Sequence, residues 1–335
     1  RLGLNLSVSI EPAAAGTGGA LRHAGDMLAD RFILLNGDTW LEINYHALLA
    51  QLDATGAVAA LGLRPVDRPD RYDTAVLDDG LIRDFGRERP TSSLALINGG
   101  VAACTRALFD LLPDTGSIEA LVWPKLAREG RLAGLVTDGF FLDIGVPEAF
   151  ERAQQAIPAR HRRGAVFFDR DGVLNIDRGY VGSIDRFEWL DGAREAVKLV
   201  NESGRYAFVV TNQAGVAKGH YGEADVQALH AHMQRELNAA GAHIDDFRYC
   251  PYHLAGSVAE YARHSDCRKP EPGMLVELMR DWPVDVGDSV MIGDKASDMA
   301  AARAAGVRGA LFSGGPLKAF VRSQVLPKKE TQCRR

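Results

Sequence analysis

The chain is poor in cysteine: Cys104, Cys250, Cys267 and Cys333 are all it has in 335 residues. Four thiols so few and so scattered exclude a disulfide framework and fit the cytoplasm. It also lacks any apolar run near the roughly 20 residues a membrane span needs. Its start, Arg1-Leu2-Gly3, shows neither a secretory signal nor an initiator Met, so the chain reads as a fragment whose beginning is missing. Positive charge is in deficit, with 39 Lys and Arg against 44 Asp and Glu, a net charge of -5. With no basic stripe interleaved with aromatics, nucleic acid and membrane are not expected as partners. The dense basic run at 160–163 reads as a solvated linker. Internal repeats and low-complexity tracts are absent too.

What is present is an ordinary globular composition, 46% hydrophobic and 25% charged, in a chain long enough for two domains at roughly 150 residues each. Strand and helix signals alternate from the outset, so both domains read as α/β. In the first, over 1–157, strands are expected at 6–10, 32–35, 58–63 and 140–142, and helices at 19–29 and 45–52. A closing helix over 145–157 carries Ala149, Phe150 and Ala153 on one face. A linker at 158–164 leads to a second domain at 165–318. Its long helix, 223–240, places Val226, Leu229, Met233 and Leu237 on one stripe, with His230 and His232 at the surface. Residues 319–335 are expected to form a tail, disordered from Ser323 to Cys333-Arg334-Arg335.

Four short motifs in the second domain stand where strands should end. In FFDRDGVLN (167–175) an apolar run delivers Asp169 and Asp171, two residues apart and so able to face one pocket past Gly172. A carboxylate attacks phosphorus only where cations cancel the phosphoryl charge, so the other motifs must supply cations and donors. Asp169 reads as the nucleophile and Asp171 as the general acid and then base. In YAFVVTNQAGVAKG (206–219) a β-branched strand breaks at Thr211 and Asn212, which can donate to phosphoryl oxygens. In CRKPEPGM (267–274) prolines disfavour a regular element, leaving Arg268 and Lys269 to reach in from a loop. In SVMIGDKASDM (289–299) a strand ends at Asp294 and a helix opens with Asp298. Asp294, Asp169 and the Asp171 carbonyl form an oxygen-rich Mg²⁺ site with Asp298 behind it. Taken singly, each motif is more often a turn or a helix cap; four in order on alternating strands carry the argument.

The set resembles the haloacid dehalogenase superfamily of phosphatases, which implies a Rossmann-like fold and the same roles for Asp169, Asp171, Thr211, Lys269 and Asp294. The stretches DRDGVLN, GYV (179–181), TNQAGVAKG, CRKPEPGM and GDKASDM are similar, over about 165–315, to the heptose-1,7-bisphosphate 7-phosphatase family. Histidinol-phosphate phosphatases share most of these motifs and are the alternative. The resemblance implies a small phosphorylated sugar as substrate, with Arg268 free for a sugar hydroxyl or the distant phosphate. That family commonly holds structural Zn²⁺ on Cys-x-His and Cys-x-Cys pairs. Here Tyr252 and Ser265 occupy two ligand positions, leaving Cys250 and Cys267 with His253 and His264 as displaced substitutes, so a filled zinc site is not expected.

In the first domain Asp38 and Asp143 each follow an apolar run and could share one Mg²⁺. The segments AAAGTGGAL (13–21), LLNGDT (34–39), INGG (97–100), SIEALVWPKL (117–126) and FLDIGVPE (141–148) resemble sugar-1-phosphate nucleotidylyltransferases. That implies Gly16 to Gly19 near the base or sugar, Asn98, Gly99 and Glu119 on the sugar, and Asp38 and Asp143 on the metal. The family's opening strand and Gly-rich, Arg-containing phosphate loop have no match here. The half is therefore expected to be an inactive remnant, a non-catalytic interaction module, or a guanylyltransferase if the loop lies upstream.

Overall fold

The computed structural model describes residues 6–67, 69, 72–86 and 94–326. Residues Arg1 to Gly3 and the basic end at 327–335 lie outside them. The chain divides into two compact units, Arg1–Ala153 and Gln154–Arg335. No helix among the described residues is long and apolar enough to cross a membrane.

In the first unit the strands are β1 (Arg31–Leu35), β2 (Thr39–Leu41), β3 (Ala59–Val66), β4 (Thr74–Asp78), β5 (Leu81–Gly86), β6 (Ala95–Thr105), β7 (Leu132–Val136) and β8 (Phe141–Asp143). Six of them form a mixed sheet in the order β1-β6-β3-β7-β5-β4, and β2 pairs with β8 separately. Only β3 and β7 run parallel within the larger sheet. The helix Tyr45–Thr55 is capped by Asn44, whose side chain accepts from the His46 and Ala47 amides, and closes at Gly56 in the left-handed region. No strand forms over 6–10: Leu6, Val8 and Ile10 are exposed and join no ladder among the described residues. Alternating apolar residues make a strand only where a partner edge satisfies the backbone.

The second unit is a five-stranded sheet, β11-β10-β9-β12-β13, built from β9 (Ala165–Phe168), β10 (Tyr206–Asn212), β11 (Asp246–Cys250), β12 (Val290–Gly293) and β13 (Arg308–Leu311). Every pairing is parallel. Such a sheet must be covered on both faces, and the alternation shows it. Val166, Phe168, Ala207, Val209, Val290 and Ile292 point into one core with Val197, Met233 and Leu237. Ala165, Phe167, Phe208, Val210 and Met291 point into the other with Met274, Leu275 and Leu278. The stripe Val226, Leu229, Met233 and Leu237 is fully buried on the helix Glu223–Ala239.

Three expectations change here. The helix Pro147–His161 runs through Pro158 into the presumed linker, its last turn carrying Arg160 and His161, which suit the negative end of a helix; Phe150 on it is exposed and Ala153 buried. The tail is not loose at its start: Leu317, Val321 and Val325, four residues apart, pack on the first core. His230 is buried rather than superficial, stacked on Phe247 at 4.6 Å, and burial pushes its pKa down to about 3. His232 is half-buried, 3.6 Å from Glu236.

Candidate active site

Parallel strands expose unpaired backbone groups at their carboxyl ends, and β9, β10 and β12 end side by side. A cavity of about 510 Å³ opens there, lined by Asp169, Asp171, Thr211, Asn212, Arg268, Lys269 and Asp298 among others. Asp169 is buried, and its Oδ1 accepts from the Arg170 amide at 2.7 Å and from Lys269 Nζ at 2.8 Å. Its Oδ2 receives no hydrogen bond among the described residues.

Lys269 comes from the irregular stretch between β11 and the helix Gly273–Asp281. Its three N–H groups are matched by three acceptors: Asp169, Asp298 at 2.8 Å and the Val210 carbonyl at 2.9 Å. Burial alone would lower its pKa, but the two carboxylates reverse that and raise it. Asp169 is pushed up to about 6 by burial, with Lys269 opposing the rise. Asn212 bonds the Lys269 backbone in both directions, Nδ2 to the carbonyl and Oδ1 from the amide, each at 3.0 Å. Both ends of the amide expected to bind phosphate thus anchor the lysine loop.

Asp171 takes two hydrogen bonds on each oxygen. Arg170 Nε and Asn175 Nδ2 donate to Oδ1 at 3.1 and 3.0 Å, and Arg170 Nη2 and Gln213 Nε2 to Oδ2, both at 3.0 Å. Arg170 itself is fully buried.

A cation has a place among these groups. Carboxylate oxygens of Asp169, Asp294 and Asp298 lie within 4.8 Å of one another, the one such cluster among the described residues. Both Asp298 oxygens are spent, on Lys269 and on the Lys295 amide at 3.0 Å. Asp294 Oδ1, by contrast, is buried with no partner. Three carboxylates against two ammonium groups, Lys269 and Lys295, the latter 3.7 Å from Asp294 Oδ2, still leave an oxygen-lined site of net negative charge, which fits a hard divalent ion such as Mg²⁺. Gly172, at φ +94°, is required here, since a Cβ would sit 2.4 Å from Asp294 Oδ2.

Among the described residues the zinc candidates form no cluster of three ligands, although the two cysteines meet. Cys250 and Cys267 share a thiol hydrogen bond that lowers Cys267 to about 7 and raises Cys250. Ser265 Oγ lies 3.0 Å from the Cys267 sulfur. His253 Nδ1 accepts from the Ala255 amide at 3.0 Å, and His264 is exposed beside Asp266. Tyr252 lies under the Arg263 guanidinium at 4.1 Å. Arg268 lines the cavity, Nη1 donating to the Tyr252 carbonyl at 3.3 Å.

Motif reading missed several lining residues: Asp177, Tyr180, Tyr221 and Lys295. Lys295 sits next to Asp294 in sequence, a usable signal. Its bond to Asp177, 3.1 Å away and 118 residues apart, is not one.

In the first unit the pairing of β2 with β8 sets Thr39 opposite Asp143. A methyl on Gly145 would lie 3.0 Å from Asp143 Oδ1 and 3.9 Å from Asp38 Oδ2, so both carboxylates face one spot. Asn98 Oδ1 accepts from the Gly100 amide at 3.1 Å. Glu119 is held by the Thr17 and Ser117 hydroxyls at 2.7 and 2.8 Å. The glycines around Thr17 have a packing reason: Cβ atoms on Gly16, Gly18 and Gly19 would come within 2.7, 2.9 and 2.6 Å of other atoms, chiefly of the turn at 113–116.

Comparison with known proteins bears on both units. Residues 1–160 match the nucleotidyl transferase family model, and residues 266–321 the HAD-hydrolase-like model. D-glycero-beta-D-manno-heptose-1,7-bisphosphate 7-phosphatase of Rhodopseudomonas palustris is 48% identical over 165 residues, 49% of this chain and 91% of the relative. Its namesake from Escherichia coli K12 is 44% identical over 143 residues, 43% of this chain and 75% of the relative. The crystal structure of a D,D-heptose 1,7-bisphosphate phosphatase from B. bronchiseptica, complexed with magnesium and phosphate, is 30% identical; it covers 49% of this chain and 89% of that one with a TM-score of 0.41. With near-half identity across nine-tenths of one relative, the chain belongs to the D-glycero-beta-D-manno-heptose-1,7-bisphosphate 7-phosphatase family.

Proposed function

We propose that the second unit removes the 7-phosphate of D-glycero-D-manno-heptose 1,7-bisphosphate through an aspartyl-phosphate on Asp169. The observation that carries this is the cluster at the cavity floor: an unbonded Asp169 Oδ2 beside Lys269, itself fixed by three acceptors. Asp169 attacks phosphorus while the Thr211 hydroxyl donates to a phosphoryl oxygen and the Lys269 ammonium, its three N–H groups already given to protein acceptors, offsets negative charge beside it. Asp171 gives a proton to the leaving alkoxide, then takes one from the water that releases phosphate. Because each Asp171 oxygen already accepts two hydrogen bonds, it acts only after giving one up. Bound Mg²⁺, held by Asp169, Asp294 and the Asp171 carbonyl, supplies the charge that offsets the phosphoryl oxygens.

Activity is accordingly expected to vanish in excess EDTA and to return on adding Mg²⁺; retained turnover in chelator would count against the carboxylate site. Elemental analysis should find well under one Zn²⁺ per chain, and a full equivalent would mean that His253 or His264 completes a site.

The stretch between β11 and the helix Gly273–Asp281 is the sizeable loop next to Lys269, so it selects the substrate, with Arg268 forked onto the distal phosphate. Phosphorus NMR of the reaction tests this: the 1-phosphate resonance should persist while the 7-phosphate appears as orthophosphate. Loss of the anomeric phosphate first, or a higher kcat/KM on histidinol phosphate, would move the assignment to that alternative. A small phosphorylated substrate and the free thiols Cys104, Cys250 and Cys267 suit the cytoplasm. For the first unit, the shared focus of Asp38 and Asp143 favours a nucleotidyl-transfer site acting on the heptose 1-phosphate that the phosphatase leaves.

A further inference from the structure

We infer that Gln213 is a positioning residue that turns the Thr211 hydroxyl hydrogen toward the phosphoryl site while it braces Asp171. This rests on the reading above, in which Thr211 and Asp171 serve the phosphoryl group.

Gln213 follows β10 directly and is only 1% exposed. Its amide makes four hydrogen bonds. Oε1 accepts from Arg170 Nη2 at 3.1 Å and from the Tyr221 hydroxyl at 2.7 Å. Nε2 donates to Asp171 Oδ2 at 3.0 Å and to Thr211 Oγ1 at 2.8 Å. The chemistry of the partners dictates this polarity. A guanidinium can only donate, so the amide oxygen must face Arg170, and that leaves the NH₂ to donate to Asp171. Arg170 cannot turn away, because it also forks onto Asp171 and donates to the Val181 carbonyl.

The second amide hydrogen therefore lands on Thr211, whose oxygen is an acceptor in that contact. The hydroxyl hydrogen must point elsewhere. Thr211 lines the cavity, and no described residue accepts from it, so an oxyanion in the cavity is the acceptor left for it. Tyr221 holds the arrangement from behind: a Cβ on Gly182 or Gly215 would lie 2.1 or 2.3 Å from its ring, so both glycines are there to let the ring seat. The rotor that a free threonine would leave unset is thus fixed before any ligand arrives, the preorganisation that makes a donor effective.

A double-mutant cycle read by binding tests this without relying on turnover. Orthovanadate affinity with Mg²⁺ present is measured by calorimetry on the full chain for wild type, Gln213→Leu, Thr211→Val and the double variant. Each single change is expected to weaken vanadate by about tenfold, the scale of one hydrogen bond to a charged group. The double variant should be no weaker than Thr211→Val alone, because Gln213 acts through that hydroxyl. Unchanged affinity in Gln213→Leu, or a double variant about a hundredfold weaker, overturns the proposal. Should Gln213→Leu not fold, Gln213→Glu carries the same cycle. Its carboxylate still accepts from Arg170 and Tyr221 but offers Thr211 an acceptor, turning the hydroxyl hydrogen away from the ligand. Its loss must then be larger with Thr211 present than in the T211V background, and equal losses overturn the idea. Failure to hydrolyse a sugar bisphosphate would sink the proposed function while leaving this cycle readable.

Discussion

Asp169→Asn should reduce turnover by at least about 10⁴-fold, the scale seen when a nucleophile is removed from a site that works as a unit. The substitution keeps the side-chain shape. Its carbonyl oxygen can still accept from the Arg170 amide and from Lys269, as Asp169 Oδ1 does at 2.7 and 2.8 Å. What disappears is the anionic Oδ2, so no aspartyl-phosphate can form. The fold should survive, because burial already disfavours the ionised form of Asp169 and an amide there costs no buried charge. Initial rates on the bisphosphate, with the thermal unfolding midpoint of the same sample, check both halves. Near-normal hydrolysis would remove Asp169 from the nucleophile's role, and a collapsed midpoint would show that its charge is structural.

The second large effect is expected from Lys269→Met, which strikes catalysis and stability together. The ammonium lies 2.8 Å from each of two buried carboxylates, Asp169 and Asp298. Removing it leaves both without their cation, and breaking a buried pair in this way costs about 3–5 kcal/mol. Hydrolysis should fall by roughly 10³-fold, the scale of losing a preorganised charge beside a developing oxyanion. The stability loss should depend on pH with a definite sign. Without Lys269 the folded state binds a proton on Asp169 more tightly than the unfolded chain does. Stability then falls as pH rises through the raised folded pKa, and the deficit narrows at low pH. Wild-type Asp169, already raised to about 6, marks where that loss should begin. Urea unfolding of both proteins at pH 5 and pH 8 reads this out; a gap of equal size at the two pH values would mean that the carboxylates are not what Lys269 compensates.

Three of the second domain's five strands were readable because each is a short apolar run that stops at a polar residue; Asp246–Cys250 and Arg308–Leu311, at the sheet's two edges, are not such runs. Ala165–Phe168 ends before Asp169, Tyr206–Asn212 holds Thr211 at its end, and Val290–Gly293 ends before Asp294. In a parallel sheet covered on both faces the run itself is the strand, so its end marks the functional edge. Where the same local signal lacked a partner it misled, as at Leu6, Val8 and Ile10, which are exposed. It misled again at the tail, where Val321 and Val325 are too few to announce a buried face but find one on the first core.

The sequence by itself determined which chemistry is available: carboxylates, a hydroxyl and a lysine delivered to neighbouring strand ends, through periodicity and chain-local turn preferences. Tertiary structure alone decided how those groups are charged and aimed. Lys269 is fixed by acceptors at 169, 210 and 298, Asp171 is saturated by donors from 170, 175 and 213, and Asn212 is turned to the lysine loop. It also decided that Cys250 and Cys267 meet each other and that the Gly16 to Gly19 run has packing to serve. The physical reason is range. Backbone preference is set within a few residues of chain, whereas a carboxylate's pKa, a hydroxyl's direction and a metal's ligand set depend on distances of about 3 Å through space, between residues that the chain holds far apart.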